Sequence, residues 1–315
     1  MTESLLITFL SEKMRIQLLL CGVAMLFTNM TNASPEPPAK PFTFSAVQLK
    51  STDVGNFFKM KLLASRAKAA GAELVIFPES SVFGWLNPNA FMQAEPIPGK
   101  YSEMFSEIAS SLNIWIAVGL AERAERAGAG SLPGAHNVYD SGILINPDGV
   151  IVLHNRKVNV LGNAFDPADC KRYLNKNKCG YTPGKVEDLK TVKTDFGQTT
   201  LLVCADAYVP GQGNNTGTLD RVKISNANVV IVPWGVTAAE QSQCGNPGFN
   251  ATGMASHAAK YLSAYVLGSN GTGERLYGNN LPSYYCGSSG FSSPSGKYTE
   301  STVRFSEIAT FVVAD

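Results

Sequence analysis

The feature that most constrains the fold is a series of short apolar runs alternating with segments of helical spacing. Two runs, at residues 199–203 and 229–232, consist of apolar and β-branched residues, which is typical of strands buried on both faces of a sheet. Residues 58–70 carry apolar side chains at helical spacing and stop at Gly71, a residue that commonly ends helices. This alternation predicts an α/β domain with helices on the faces of its sheets.

The rest of the pattern predicts the order of the remaining elements. Further strands are predicted at 42–47, 74–77, 114–118, 142–146, 150–153, 265–268 and 303–313. Further helices are predicted at 101–112 and 251–264. Pro147, Asp148 and Gly149 form the turn of a hairpin. No break in composition interrupts the series, so the sequence predicts one domain.

Three of the apolar runs are followed by reactive side chains. Glu79 follows one strand, Lys157 follows another, and Cys204 follows the run at 199–203. A carboxylate, an amine and a thiol supply the base, oxyanion stabiliser and nucleophile that covalent acyl chemistry requires. Taken singly, each residue also has a structural interpretation, as a helix-cap carboxylate, a solvated lysine and a buried cysteine.

These positions resemble the motifs of the nitrilase-like carbon–nitrogen hydrolases. Phe77-Pro78-Glu79, Arg156-Lys157 and Cys204-Ala205-Asp206 occur in the order and spacing of that family. Later segments are also similar, so that the resemblance extends over residues 42–315. Each motif is weak alone, but three in order, each closing an apolar strand, indicate the family.

The resemblance implies a single-domain α-β-β-α sandwich of the nitrilase-like type with a catalytic triad. Cys204 would be the nucleophile and would form a thioester, Glu79 would be the base, and Lys157 with the backbone N–H of Ala205 would stabilise the oxyanion. True nitrilases usually carry Trp-Glu after the cysteine, so Ala205-Asp206 favours linear amides over nitriles. A vitamin-amide hydrolase of the pantetheinase or biotinidase type is a further alternative.

The chain departs from the family in two respects. The family usually has a second glutamate between the lysine and the cysteine, but residues 158–186 contain none. We expect one of three polar residues to reach Lys157 instead: Asn175, Asp166 or Asp169. The missing glutamate also supports a different class of function, a non-catalytic secreted binding protein on the same fold.

The second departure concerns the substrate pocket. The residues after Asp206 lack an arginine that is common in family amidases, so substrate preference does not transfer. We predict Ala205, Tyr208 and Trp234 as pocket residues. Core packing is the alternative for Trp234, since it directly follows a buried strand.

The N-terminus has the pattern of a targeting segment. Residues 1–33 read as a signal peptide with an apolar core at 18–27, and Met14 is an alternative start. A Pro-rich linker is predicted at 34–41 and the hydrolase domain at 42–315. The apolar core is too short to span a bilayer. The sequence thus predicts a secreted or periplasmic protein without a membrane anchor; a frayed apolar N-terminus is the alternative.

The cysteines support export. Removal of residues 1–33 leaves five, of which four lie in polar or Gly-rich loops while Cys204 follows a buried strand. Loop cysteines pair in an oxidising compartment, so we predict disulfides Cys170–Cys179 and Cys244–Cys286 and a free Cys204. Five reduced cysteines in a cytosolic protein is the alternative.

Charge and histidine spacing limit the partners. The formal net charge is +1 and no block of like charge occurs, so neither nucleic acid nor an acidic membrane surface is indicated. The three histidines lack metal-ligand spacing, and we predict no metal and no cofactor. The expected partner is a small-molecule amide. The resemblance also implies a homodimer or a larger homo-oligomer.

Overall fold

The structure, a computed structural model, describes residues 40–50, 52, 54–85, 87–125, 136–160, 180–211, 217–246, 251–275, 283–301 and 307–314. Its contacts divide the chain into Met1–Glu36 and Pro37–Asp315, and every described residue belongs to the second unit. The predicted signal peptide therefore lies outside the described residues. So do Cys170, Cys179, Asp166, Asp169 and Asn175.

Helices and strands alternate along most of the described chain. The helices are α1 (Phe57–Ala69), α2 (Pro88–Met92), α3 (Lys100–Leu112), α4 (Thr218–Ile224) and α5 (Ala251–Leu262). The strands are β1 (Phe42–Val47), β2 (Leu74–Ile76), β3 (Trp115–Glu125), β4 (His136–Ile145), β5 (Ile151–Arg156), β6 (Thr191–Thr194), β7 (Gly197–Leu201), β8 (Val229–Trp234), β9 (Thr237–Ala238), β10 (Tyr265–Asn270), β11 (Thr272–Arg275), β12 (Ser283–Cys286), β13 (Gly290–Ser292), β14 (Tyr298–Glu300) and β15 (Ile308–Val313). Short 3₁₀ turns cover Val186–Asp188, Cys204–Ala207 and Gln241–Gly245.

The strands form two six-stranded sheets and one small sheet. The first sheet has the order β15-β1-β2-β3-β4-β5, with β1, β2 and β3 parallel. The second has the order β14-β13-β10-β8-β7-β6, with β7, β8 and β10 parallel. The small sheet has the order β11-β12-β9. Both large sheets thus have parallel central strands and antiparallel outer strands.

Side-chain alternation along β2 shows how the layers pack. Leu74 and Ile76 belong to the core that the two large sheets share. Val75, on the opposite face, belongs to a second core with Leu63 of α1 and Phe105 of α3. On the second sheet, β8 is buried throughout and shares its core with apolar residues of α5. Helices therefore cover the outer face of each sheet, which confirms the predicted α-β-β-α sandwich.

The predicted elements agree with the structure to within a few residues, except at the hairpin of β3 and β4. These strands pair in register over ten residues, from Ile116 opposite Ile145 to Glu125 opposite His136. Their outer halves carry charged residues and lack the apolar run on which the prediction relied. Helices α2 and α4 and strands β6, β9 and β11–β14 were also not predicted. The first residues of the strand predicted at 303–313 lie outside the described residues. Within the described part of the chain, no helix has the length and apolar character needed to cross a membrane.

The small sheet carries a disulfide. Cys244 in the turn Gln241–Gly245 is bonded to Cys286 at the end of β12, with 5.1 Å between their Cα atoms. This is one of the two predicted bridges. Tyr285 beside it donates a hydrogen bond to the carbonyl of Trp85 at 3.0 Å. The disulfide therefore secures a sheet that contacts the segment following Glu79.

Candidate active site

Three strand ends bring the predicted triad together. Glu79 lies just beyond β2, Lys157 directly follows β5, and Cys204 opens the 3₁₀ turn beyond β7. All three are buried, with Cys204 the most exposed at 5%. Lys157 Nζ forms a salt bridge with Glu79 Oε1, and the charges of both act on the Cys204 thiol. The fold thus converts three distant motifs into one enclosed cluster.

The backbone at Cys204 is held in an unusual conformation. Its φ is +46°, in the left-handed region that residues other than glycine seldom adopt. Asp206 stabilises this turn, because its carboxylate accepts hydrogen bonds from the N–H groups of Asn159 at 2.6 Å and Val158 at 3.0 Å. Asn159 in turn donates to the carbonyl of Ala205 at 2.7 Å. The turn of Cys204 and the segment after Lys157 are therefore fixed to each other.

Glu79 is positioned by close backbone contacts. Its N–H donates to the carbonyl of Trp234 at 3.2 Å. A Cβ on Gly235 would lie 1.8 Å from Glu79 Oε2, and one on Gly119 would lie 2.7 Å from Glu79 Cα. Both positions require glycine because the site approaches the backbone so closely. Glu79 Oε2 is buried and accepts no hydrogen bond from an N–H group or an alcohol or phenol hydroxyl of the described residues.

The thiol of Cys204 is neutral in the resting site. Burial, followed by the negative charge of Glu79, raises the pKa of Cys204, while Lys157 and the N–H of Gly235 act in the opposite direction. Nucleophilic attack by a neutral thiol requires a base to take its proton, and Glu79 is the carboxylate beside it.

Lys157 remains an ammonium despite its burial. Burial acts to lower the pKa of Lys157, but the negative charge of Glu79 and its hydrogen bond with the ammonium act in the opposite direction, and the pKa lies well above its ordinary value. A second carboxylate, Asp140 Oδ2, lies 3.5 Å from Lys157 Nζ. A buried, paired ammonium supplies a fixed positive charge beside the Cys204 thiol.

The predicted pocket residues occupy different surroundings. Tyr208 is partly buried, and burial followed by interaction with Cys204 raises the pKa of its hydroxyl. Trp234 is fully buried in the core between the sheets, and it reaches the site through its carbonyl. Ala205 lies in the turn of Cys204. A cavity of about 10 Å³, close to the space of one water molecule, borders Glu79 and Tyr285.

Several site residues were not identified from the sequence. Asp140 lies inside β4, and the residues on either side of it form no recognisable catalytic motif. Asp206 was recognised only as part of the cysteine motif, and its role in fixing Asn159 appears only in three dimensions. Asn155 is buried and bonds the carbonyl of Leu201 at 2.9 Å, joining β5 to β7 across the two sheets. For the two strand residues, Asp140 and Asn155, the signal that could have identified them is a polar side chain at a buried position of a strand.

Comparison with known proteins identifies the family. A family model described as carbon-nitrogen hydrolase matches residues 43–312. The chain belongs to the carbon–nitrogen hydrolase family.

Individual relatives give partial matches in sequence and broad matches in fold. A formamidase of Helicobacter acinonychis (strain Sheeba) is 32% identical over 100 residues, which are 31% of this chain and 28% of that protein. The chain therefore covers less than a third of that formamidase. A mutant of the Nesterenkonia AN1 amidase from the nitrilase superfamily matches with a TM-score of 0.65 and 17% identity, covering 90% of this chain and 94% of that one. The C. elegans NitFhit protein matches with a TM-score of 0.65 and 18% identity, covering 88% of this chain and 61% of that one.

Proposed function

We propose that the protein is an exported thiol amidase that hydrolyses short linear amides through a Cys204 thioester. The observation that carries this proposal is the buried cluster in which Lys157 and Glu79 form a salt bridge beside the Cys204 thiol. The names of the similar proteins support the substrate class, since one is a formamidase and another an amidase.

The geometry supports a two-stage reaction. Glu79 takes the proton of the Cys204 thiol as the sulfur attacks the amide carbon, and the oxyanion is stabilised by Lys157 and the N–H of Ala205. The C–N bond then breaks as Glu79 returns the proton to the departing ammonia or amine. Water gives a proton to Glu79 and attacks the thioester, the C–S bond breaks, and the carboxylic acid leaves as the thiol regains its proton.

The enclosure of the cluster supports a small substrate. Glu79 and Lys157 are at most 2% exposed and Cys204 only 5%, so a bulky acyl group would have to displace the surrounding residues. Gly235 packs against Glu79 with no room for even a methyl group. The enclosure therefore favours short aliphatic amides over vitamin amides, while Ala205-Asp206 after the cysteine favours amides over nitriles.

Export, the second disulfide and oligomerisation complete the proposal. The bridge between Cys244 and Cys286 supports an oxidising compartment, either extracellular or periplasmic. Cys170–Cys179 is proposed as a second bridge. A homodimer or larger homo-oligomer is proposed by analogy with the family, and light scattering at micromolar protein tests it: a monomer would contradict the analogy.

Ammonia release tests the proposed substrate class. Formamide, acetamide and propionamide should yield ammonia with the purified protein, whereas acetonitrile should not, and Cys204→Ala should be inactive on all of them. Turnover of the nitrile but not of the amides would overturn the substrate class. A binding protein on this fold would release no ammonia, and its Cys204 would react with iodoacetamide no faster than an ordinary buried thiol.

A further inference from the structure

Two buried carboxylates share one ammonium at the candidate site. Lys157 Nζ contacts Glu79 Oε1 and lies 3.5 Å from Asp140 Oδ2. The side chains of both carboxylates are fully buried and that of Lys157 is 1% exposed. With both carboxylates ionised, the group would hold an uncompensated negative charge in a low-dielectric interior, which is costly. One proton held between the two carboxylates removes that charge.

The surroundings of the two carboxylates indicate which one holds the proton. Asp140 Oδ1 accepts a hydrogen bond from the hydroxyl of Ser80 at 3.3 Å, and Ser80 Oγ lies 3.0 Å from the hydroxyl of Tyr181. Burial, followed by the charge of Glu79, raises the pKa of Asp140 well above its ordinary value, while Lys157 acts to lower it. A hydrogen bond with Glu79 adds to the increase in the pKa of Asp140.

The backbones of Asp140 and Lys157 are also hydrogen-bonded to each other. The N–H of Lys157 donates to the carbonyl of Asp140 at 2.7 Å, immediately beyond the pairing of β4 with β5. Ser80, the hydroxyl partner of Asp140, has a φ of +44° and directly follows Glu79. Such a backbone conformation persists only where surrounding contacts maintain it. Asp140 thus contacts the segments of both Glu79 and Lys157.

We propose that Asp140 is a positioning residue that carries a proton and donates it in a hydrogen bond to Glu79. Glu79 then stays ionised and oriented towards the Cys204 thiol, and Lys157 keeps one full counter-charge. This role rests on the proposed amidase function for its kinetic readout. It assigns to a residue of β4 the task expected of the loop residues Asp166, Asp169 or Asn175.

A comparison of Asp140→Asn with Asp140→Ala tests the proposal. The Asn side chain donates from its NH₂ group as a protonated carboxyl does, so kcat for acetamide should stay within about 10-fold of the wild type. Alanine removes the donor, and kcat should fall by about 100-fold or more with little change in KM. Asp148→Asn, in the exposed turn between β4 and β5, is the control for loss of a carboxyl and should keep full activity.

The pH profile separates positioning from a structural role. The groups facing Asp140 that ionise are Glu79, Lys157, Tyr181 and Cys204. Ionisation of Asp140 removes the proton that it donates to Glu79, so the fall of kcat/KM at high pH should move to higher pH in Asp140→Asn, whose amide cannot lose a proton there. Equal activity of the Asn and Ala variants, or an unchanged pH profile in Asp140→Asn, would overturn the proposal. So would a larger loss of kcat in Asp166→Asn, Asp169→Asn or Asn175→Ala than in Asp140→Ala.

A measurement without substrate distinguishes this proposal from the amidase assignment. The rate at which iodoacetamide labels Cys204 depends on Glu79 and not on amide turnover. Labelling should be similar in the wild type and Asp140→Asn and at least about 10-fold slower in Asp140→Ala. If neither the wild type nor any variant hydrolyses an amide, this labelling pattern still supports the positioning role of Asp140. Only the proposed amidase function then fails. Equal labelling rates in all three proteins would refute the role of Asp140. Thermal unfolding of each variant confirms that the proteins compared are folded.

Discussion

The carboxylate of Asp206 accepts the N–H of Asn159 at 2.6 Å, and this bond joins the turn of Cys204 to the segment that follows Lys157. The two segments belong to different sheets, since β7 leads to the cysteine and β5 to the lysine. Asp206 also accepts the N–H groups of Val158 and Val203. One buried carboxylate therefore sets the distance between Cys204 and Lys157.

Asp206→Asn should lower kcat/KM by about 100-fold, because an amide places an NH₂ group against N–H donors that need acceptors. Burial raises the pKa of Asp206 to about 6, although its N–H donors act to lower it. The wild type should consequently lose activity as the pH falls through about 6. Steady-state kinetics from pH 5 to about 8 check both statements. Wild-type kinetics in Asp206→Asn would show that this carboxylate does not position the site.

Glu122 should stabilise the strand end that presents Lys157. It accepts hydrogen bonds from Arg156 Nε at 3.0 Å and from Ser141 at 2.5 Å, and its Oε2 lies 2.9 Å from His154 Nε2. Burial acts to raise the pKa of Glu122, but the bonds to His154 and Arg156 prevail and lower it from 4.5 to about 2. The ionised form is therefore favoured by folding, on the order of 3 kcal/mol.

The sign of the pH dependence follows from that lowered pKa. The stabilisation by Glu122 is complete above pH 4.5 and is lost as the pH falls towards 2. The difference in free energy of unfolding between the wild type and Glu122→Gln should be largest at neutral pH and should shrink below about 4.5. Glu307→Gln, which removes an exposed salt bridge to Lys59, should cost less than about 1 kcal/mol. A difference for Glu122→Gln that persists unchanged at pH 3 would contradict this account.

Gly235→Ala should inactivate the protein and leave it folded. The new methyl group would lie 1.8 Å from Glu79 Oε2, so the carboxylate or the Gly235 backbone must move. Gly180→Ala is the matched control, because nothing lies within 4 Å of its Cβ position. We expect kcat to fall by about 100-fold in Gly235→Ala and to stay unchanged in Gly180→Ala. Equal kinetics of the two variants would show that Glu79 tolerates displacement.

The disulfide between Cys244 and Cys286 should support the site through the small sheet. Replacing both cysteines with serine removes a cross-link over a sequence separation of 42 and should cost about 2–4 kcal/mol of stability. Activity should fall as well, since Tyr285 beside the bridge borders the Glu79 cavity, and the carbonyl of Val236, next to Gly235, accepts the N–H of Cys286 at 3.4 Å. Denaturant unfolding and kinetics of the double variant check this. A variant as stable and as active as the wild type would contradict it.

Peptide mapping without reductant tests the cysteine assignment. We expect Cys244–Cys286 and Cys170–Cys179 as bridges and Cys204 as a free thiol. Cys204 in a bridge would exclude it as the nucleophile.

The sequence predicts the fold because its central strands are apolar and its helices have regular spacing. It also predicts the triad, because Glu79, Lys157 and Cys204 each lie within three residues of the end of a strand. Asp140 was not predicted, because a lone aspartate in a mixed strand looks like a surface residue until its hairpin is placed over the site. The approach of Gly235 to Glu79 likewise depends on packing between segments more than 150 residues apart, which no local pattern encodes.

Trapping of the acyl group by hydroxylamine tests whether a thioester forms on Cys204. A thioester partitions between water and a better nucleophile, so the wild type with acetamide and hydroxylamine should yield acetohydroxamate. Cys204→Ala should yield none, and Glu79→Gln and Lys157→Arg should lose nearly all of it. Undiminished hydroxamate formation by Cys204→Ala would contradict the covalent mechanism, whereas its loss in that variant with intact folding is the result that the structure predicts.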